Sequence, residues 1–565
     1  MDKNTLTGII LIFALVFLYM HFLAPSGEQP RSVVTNTVVR TDSASDTPAN
    51  PPDARLEEGP VPPDEITTTD TPRPSRPESF AVISNELASF TFGSSGGSLY
   101  RIELARSPVV RKGPLATVNA PSNQWQVPFR LRSAGGLPVE TTPFAFERSG
   151  ARALTYTATV ANTVFVRKSY SLNTNTYLLN GRIDIENVSD TTVALSNRFS
   201  VWLGQMGPVT LTRDRFAVRG ADVQIIKSAN GGMDIEREKA SDDNEWNVIP
   251  GPDVWLAVRN KYFAHILIPD RPAAYTSIRS VGPEDARRIT AYAGIDAPDL
   301  APGDSFSWQA DLYAGPKSYE RLTALSTRIG RGTKYDEVLN LGWLSFLARP
   351  ILVYGLKGLY RYVHNYGLAI IILTVLIKIV TWPLTSKSVM SMKQMQKLQP
   401  EMQKLKEKYK DDPKKQQQEM MLLYRKHGYN PLGGCLPMLL QIPIFIALYA
   451  ALSGAIELWG ASFLWINDLS MPDTVAKLPY IPFLGDKALG YTGLNPLPLA
   501  MCGAMIGQQA LSPSAGDPSQ QKMMYIMPVI FLFIFYKMPS GLTLYWLVNQ
   551  LLTMVQMFYL HYIKK

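Results

Sequence analysis

The sequence predicts a multi-domain membrane protein: a six-span α-helical bundle, made of a five-helix core and an N-terminal anchor, with a large extracytoplasmic all-β domain and a cytoplasmic helical hairpin. Three observations predict it. Apolar residues are concentrated in a few long runs, residues 79–325 alternate apolar and polar side chains with period two, and residues 386–430 carry eleven Lys or Arg against five Asp or Glu. At 565 residues, with net charge +9 and 46% hydrophobic residues, the chain is too long for one core and suits neither a disordered protein nor an ordinary soluble enzyme. Cys435 and Cys502 fall inside apolar runs, so neither a disulfide framework nor metal-ligand spacing is read, and no cofactor motif is found.

Residues 1–24 hold the first apolar run, Leu6 to Ala24, longer than a usual signal core and without a clear small-x-small cleavage site, which favours a retained anchor over a cleaved signal peptide. Residues 25–78 are rich in Pro, Ser, Thr and Asp and bury too little apolar surface to repay ordering, so they read as an extended linker. Within 79–325, Leu179, Ile183 and Ile185 alternate with Arg182, Asp184 and Glu186, and Phe306, Trp308, Ala310 and Leu312 alternate with Ser307, Gln309 and Asp311. Turn clusters such as SSGGS punctuate these strands, giving a β-sandwich. Its single histidine, His265, sits in a strand and reads as structural, and no acid/base constellation is found, although plentiful aromatics leave a carbohydrate cleft open.

Residues 326–366 form a connector and an amphipathic helix suited to the membrane interface: Leu352, Leu356, Leu359 and Val363 line one face, with Lys357 and Arg361 elsewhere. Residues 367–385, the second span, contain Lys378. A lysine at that depth costs about 2.5 to 3.5 kcal/mol, and two explanations stay open: snorkelling to the nearer interface, or facing a hydrated cavity lined also by Thr374 and Thr381. In the basic segment 386–430, Met395, Leu398, Met402, Leu405 and Tyr409 form a coiled-coil seam that Gln416, Met420, Leu423 and His427 continue on a second helix begun at Asp412-Pro413. Residues 431–565 supply spans three to six, in runs from Leu432 to Ala455, Pro496 to Leu511, Met524 to Lys537 and Leu542 to Ile563.

The basic hairpin belongs in the cytoplasm, which places the β-domain outside and both termini inside. Gln441, Gln508, Gln509, Tyr545, Asn549, Thr553 and Gln556 add polar groups to the later spans, the last four of these on one helical face. Singly they read as interhelical glue; together with Lys378, and with no Asp or Glu well inside any span, they suggest a positively charged groove for a transient guest that is apolar with polar or acidic flanks. An acid-free bundle disfavours a proton relay, so an enzyme is not expected.

The chain resembles the YidC family of bacterial membrane-protein insertases and chaperones, of the type found in Gram-negative inner membranes, through NPLGGCLPMLLQIPIFIALY (Asn430 to Tyr449), the basic loop ending QQQEMMLLY, QQKMMYIMPVIF (Gln520 to Phe531) and MPSGLTLYWLVNQ (Met538 to Gln550). The resemblance implies a periplasmic β-supersandwich and a five-helix insertase core whose hydrophilic groove opens to cytoplasm and lipid. It further implies a basic residue in the second span, at Lys378 here where the family usually has arginine, and contact positions at Ile442, Phe445, Tyr545 and Trp546. The implied partners are nascent membrane proteins, the Sec translocon, the ribosome and signal-recognition machinery, and the lipid bilayer, with no direct sequence-specific nucleic-acid binding. The expected groove residues are Lys378, Thr374, Gln441, Ile442, Phe445, Gln509, Tyr545, Trp546 and Asn549, with Met392, Met395, Met402 and Met420 as adaptable client contacts on the hairpin. The competing class is a small-solute transporter using Lys378 as an anion site, which no internal repeat supports. The β-domain, across the membrane from arriving clients, is expected to be largely dispensable for insertion.

Overall fold

The computed structural model describes residues 78–104, 115–119, 129, 131–133, 137–195, 199–206, 222–229, 232–238, 245–281, 288–329, 334–410, 412–427, 436–482, 484, 491–511 and 518–560. The expected anchor at 1–24 and nearly all of the linker lie outside them.

Between Phe80 and Pro316 the described chain forms a four-stranded sheet that starts with Phe80–Ser84 and a thirteen-stranded sheet, with antiparallel neighbours. Period two becomes burial here. In Leu178–Asn187 the side chains of Leu179, Ile183 and Ile185 enter the core, and in the paired strand Ser305–Pro316 those of Phe306, Trp308, Ala310 and Leu312 do the same. The SSGGS turn needs its glycines: Gly96 and Gly97 have φ of +65° and +51°, and a Cβ on Gly97 would press on the Tyr156 side chain. His265 lies in Phe263–Pro269, paired across the ladder with Val258 and Ala314, and is fully buried. The strands are followed by helix α1, Tyr319–Ile329, which turns Leu322 and Leu325 into the same core.

A second helical rod, α2, joins Ser345–Pro350, a π turn over Ile351–Lys357, and Gly358–Val363. Leu352 and Leu356 are buried against the helical core, with Leu359 and Val363 packed beside them, while Phe346, Tyr354 and Tyr362 are exposed. Lys357 departs from expectation. An α-helical period sets it apart from the apolar face, but the wider π turn rotates it inward behind Leu356, and it is buried. His364, at φ +53°, ends the rod, and the Asn365 side chain caps the next helix by accepting from the Leu368 amide at 3.1 Å.

That helix, α3, runs unbroken for 43 residues from Tyr366 to Lys408, about 64 Å, with Pro383 and Pro400 inside it. Span two and the first arm of the hairpin are therefore one element. Helix α4, Pro413–Lys426, folds back, started by Asp412, whose side chain accepts from the Lys415 amide at 3.1 Å. Helices α5 (Leu436–Ser453), α6 (Pro496–Leu511), α7 (Pro518–Phe535) and α8 (Ser540–Phe558) complete the helical part. Among the described residues one helical segment, Tyr366–Ser391, is long and apolar enough by itself to cross a bilayer, with shorter apolar stretches at Leu440–Ser453 and Ile526–Phe535. A second apolar core joins α2, α3, α5, α6, α7 and α8 through residues such as Ile370, Leu448, Leu497, Phe535 and Leu542.

Candidate functional site

The site is built where α3 crosses α8. Positions 545, 549, 553 and 556 share one face of α8 and extend about 16 Å along it. Lys378, only 6% exposed, turns inward to this face, and its Nζ donates to the Thr553 Oγ1 at 2.7 Å. Thr553 in turn donates to the Asn549 carbonyl at 2.7 Å. The ammonium has three donors, and among the described residues no Asp or Glu pairs with it. The side chain thus bridges α3 to α8.

One turn farther along, Gln556 is fully buried and its Nε2 donates to Thr385 Oγ1 at 2.8 Å, Ser386 Oγ at 3.0 Å and the Trp382 carbonyl at 3.3 Å. Toward the other end, Gln441 on α5 donates through Nε2 to the Tyr545 hydroxyl at 2.8 Å. The polar face therefore joins three helices. Thr374 is buried, but its hydroxyl is spent on the Ile370 carbonyl of its own helix at 2.7 Å.

Beside this polar face stands an aromatic wall. Trp546 meets Phe445 edge-on at 5.1 Å and lies 5.2 Å from Phe531 and 5.3 Å from Phe535. Ile442, on α5 near Gln441 and Phe445, is half-buried; so are Asn549 and, on α6, Gln509. The arrangement offers a cation and amides on one side and polarizable rings on the other. Phe531 and Phe535 are contributors that sequence reasoning missed, because one Phe among apolar neighbours gives no contrast. Thr385 and Ser386 were also unforeseen, and their place three to four turns before the basic seam was the available signal.

On the hairpin, Met402 is 7% exposed and packs with Leu398 against Met420, Leu423 and Tyr424, so Met402 and Met420 form its internal seam. His427 reaches across the hairpin to Glu401 at 3.5 Å. Met392 and Met395 fall on α3, and their side chains lie outside the described residues. Met390 and Met421 are exposed.

Residues 358–565 match the family described as 60Kd inner membrane protein, and residues 81–354 match the YidC periplasmic domain. The membrane protein insertase YidC of Syntrophus aciditrophicus is 34% identical over 99% of both chains, and that of Pelobacter propionicus 32% identical over 99% of both. Among solved structures, an active YidC insertase crystal structure with its first transmembrane domain resolved aligns with 86% of this chain and 93% of its own, at 19% identity and a TM-score of 0.36.

Proposed function

The chain belongs to the YidC family of membrane protein insertases, bacterial inner-membrane proteins with a periplasmic domain, and from that premise we propose that its guests are received at the α3–α8 face around Lys378. The observation that carries this reading is a buried ammonium in a bundle whose spans lack acids, bonded to the Thr553 hydroxyl on a helix face that also carries Tyr545, itself bonded to Gln441, next to the Trp546 wall. Six spans with both termini cytoplasmic complete the topology. The first span falls on residues 6–24, and the hairpin's excess of Lys and Arg stays inside.

The mechanism has no covalent step. A guest gains about 0.3 to 0.6 kcal/mol per Leu, Ile or Phe on entering the bilayer, so the obstacle is carrying its polar flank across. Lys378 offers charge-assisted hydrogen bonds to a carboxylate or carbonyl of that flank, Asn549 and Gln441 offer amides, and the apolar segment slides past Ile442, Phe445 and Trp546. Gln509 contributes a further amide from α6. Lysine gives a point charge where arginine would give a fork, so capture here does not depend on bidentate geometry. The Sec translocon, the ribosome and signal-recognition machinery are the partners proposed to deliver guests to this face.

The test is a substitution series at Lys378 scored by insertion of clients with acidic translocated segments in membrane vesicles. Arg should retain insertion, Ala should lower it several-fold, and Glu should lower it most, because reversal turns attraction into repulsion. Normal insertion by Lys378→Ala would remove the role assigned to the charge.

A further inference from the structure

The segment that ends α5 carries an arrangement the groove does not use. Within five residues the chain serves two cores in alternation: Ala455 and Leu458 are buried in the helical core, whereas Ile456 and Trp459 are buried in the core of the β-domain. The Trp459 ring stacks on Tyr262 at 5.1 Å and 13°, and Phe263 meets it edge-on at 5.7 Å. Between these anchors Glu457 turns to α2, where its Oε1 lies 2.6 Å from the Lys357 Nζ, with side-chain exposures of 6% and 9%. Glu320 on α1 is 3.9 Å from Lys357 and 3.7 Å from Arg361, an exposed and weaker extension of the same link.

We infer that Lys357, Glu457 and Trp459 are positioning residues that brace the extracytoplasmic end of α5 between the rod α2 and the β-domain, and so hold its groove-lining residues in place against α8. A buried ion pair adds little stability over a well-packed apolar pair, but removing one partner strands the other charge, so its use is to fix a geometry. Gln441 and Phe445 lie 12 and 8 residues before Ser453, the last residue of α5, about 18 and 12 Å along the helix, so displacement of that end is transmitted to them. The consequence for insertion rests on the groove reading above; the bracing itself does not.

The test uses the full chain in membranes, with Cys435 and Cys502 replaced by serine and cysteines introduced at Gln441 and Tyr545. Two readouts are taken at matched membrane levels: cross-linking yield with a short bismaleimide, and insertion measured separately without the two cysteines. Lys357→Met and Glu457→Gln should each lower the yield and insertion threefold or more. The apolar pair Lys357→Met with Glu457→Leu should restore both to within twofold. Trp459→Leu should behave like the single charge variants and Trp459→Phe, which keeps the stack, like the parent, so the question is answered even where a charge variant fails to accumulate. Unchanged yield in the single variants, or an apolar pair that restores membrane level without restoring yield, overturns the brace. A fallen yield with unchanged insertion leaves the brace standing and counts against the groove.

Discussion

A charge in an apolar run is the loudest signal a membrane sequence can carry, and Lys378 was legible for that reason. Its partner was less so. Thr553 shares a face with Tyr545, Asn549 and Gln556, which periodicity revealed, but only the packed helices show that the ammonium meets that face at 2.7 Å. His265 illustrates the opposite case, a titratable residue with no site around it. Neither ring nitrogen has a hydrogen-bond partner, and burial pushes the imidazole down to about 4 from its usual 6.5. The unfolded chain therefore takes up a proton that the folded chain resists. The contribution is whole above about pH 6.5 and is lost as pH falls toward 4, by at most about 3 kcal/mol. Thermal unfolding of the chain and of His265→Phe, compared at pH 7.5 and about 4.5, should show a smaller acid-induced drop in the variant. Equal drops would mean that His265 charges as readily in the fold as outside it.

The elements were visible by period, and their joints were not. Heptad spacing found the seam of Leu398, Met402, Met420 and Leu423, yet nothing in the residues between Thr385 and Ser391 announced that α3 would continue from span to hairpin without a break. Lys357 was misplaced because a π turn has no composition of its own. The seam has a consequence for client capture: residues spent on the hairpin's own packing are not free for a guest. Photo-crosslinkers at Met390 and Met421 should capture nascent chains, while one at Met402 should not. Leu398→Ala should loosen the hairpin by about 2 kcal/mol or somewhat more, seen as faster tryptic cleavage near 410–415. Capture at Met402 in a hairpin that still resists trypsin would show that the seam opens to clients.

At the scale of the whole molecule, strands alternating in period two and helices of apolar run separated cleanly in the sequence, because each pattern is local. Contact between the two parts is not local, and Trp459 on Tyr262 left no trace in either pattern. It also bears on the expectation that the β-domain is dispensable. Deleting residues 80–300 removes Tyr262 and Phe263 and leaves Ile456 and Trp459 without their core. The shortened chain should still insert clients, at a rate reduced between about threefold and tenfold, because Trp459 then loses the stack that Trp459→Leu also removes. Full activity in the deletion, at equal membrane level, would show that the helical part holds α5 unaided. A different consequence follows from Pro383, the first interior residue of α3 without an amide hydrogen to give. Bending concentrates at such a point, and from there to Lys408 the helix extends about 38 Å, so a tilt of about 10° swings the far tip by roughly 7 Å. The fulcrum lies five residues from Lys378, where the same tilt moves atoms by little more than an ångström. A load on the tip thus works through a long lever arm, and a modest force there becomes a large one at the Lys378–Thr553 bond.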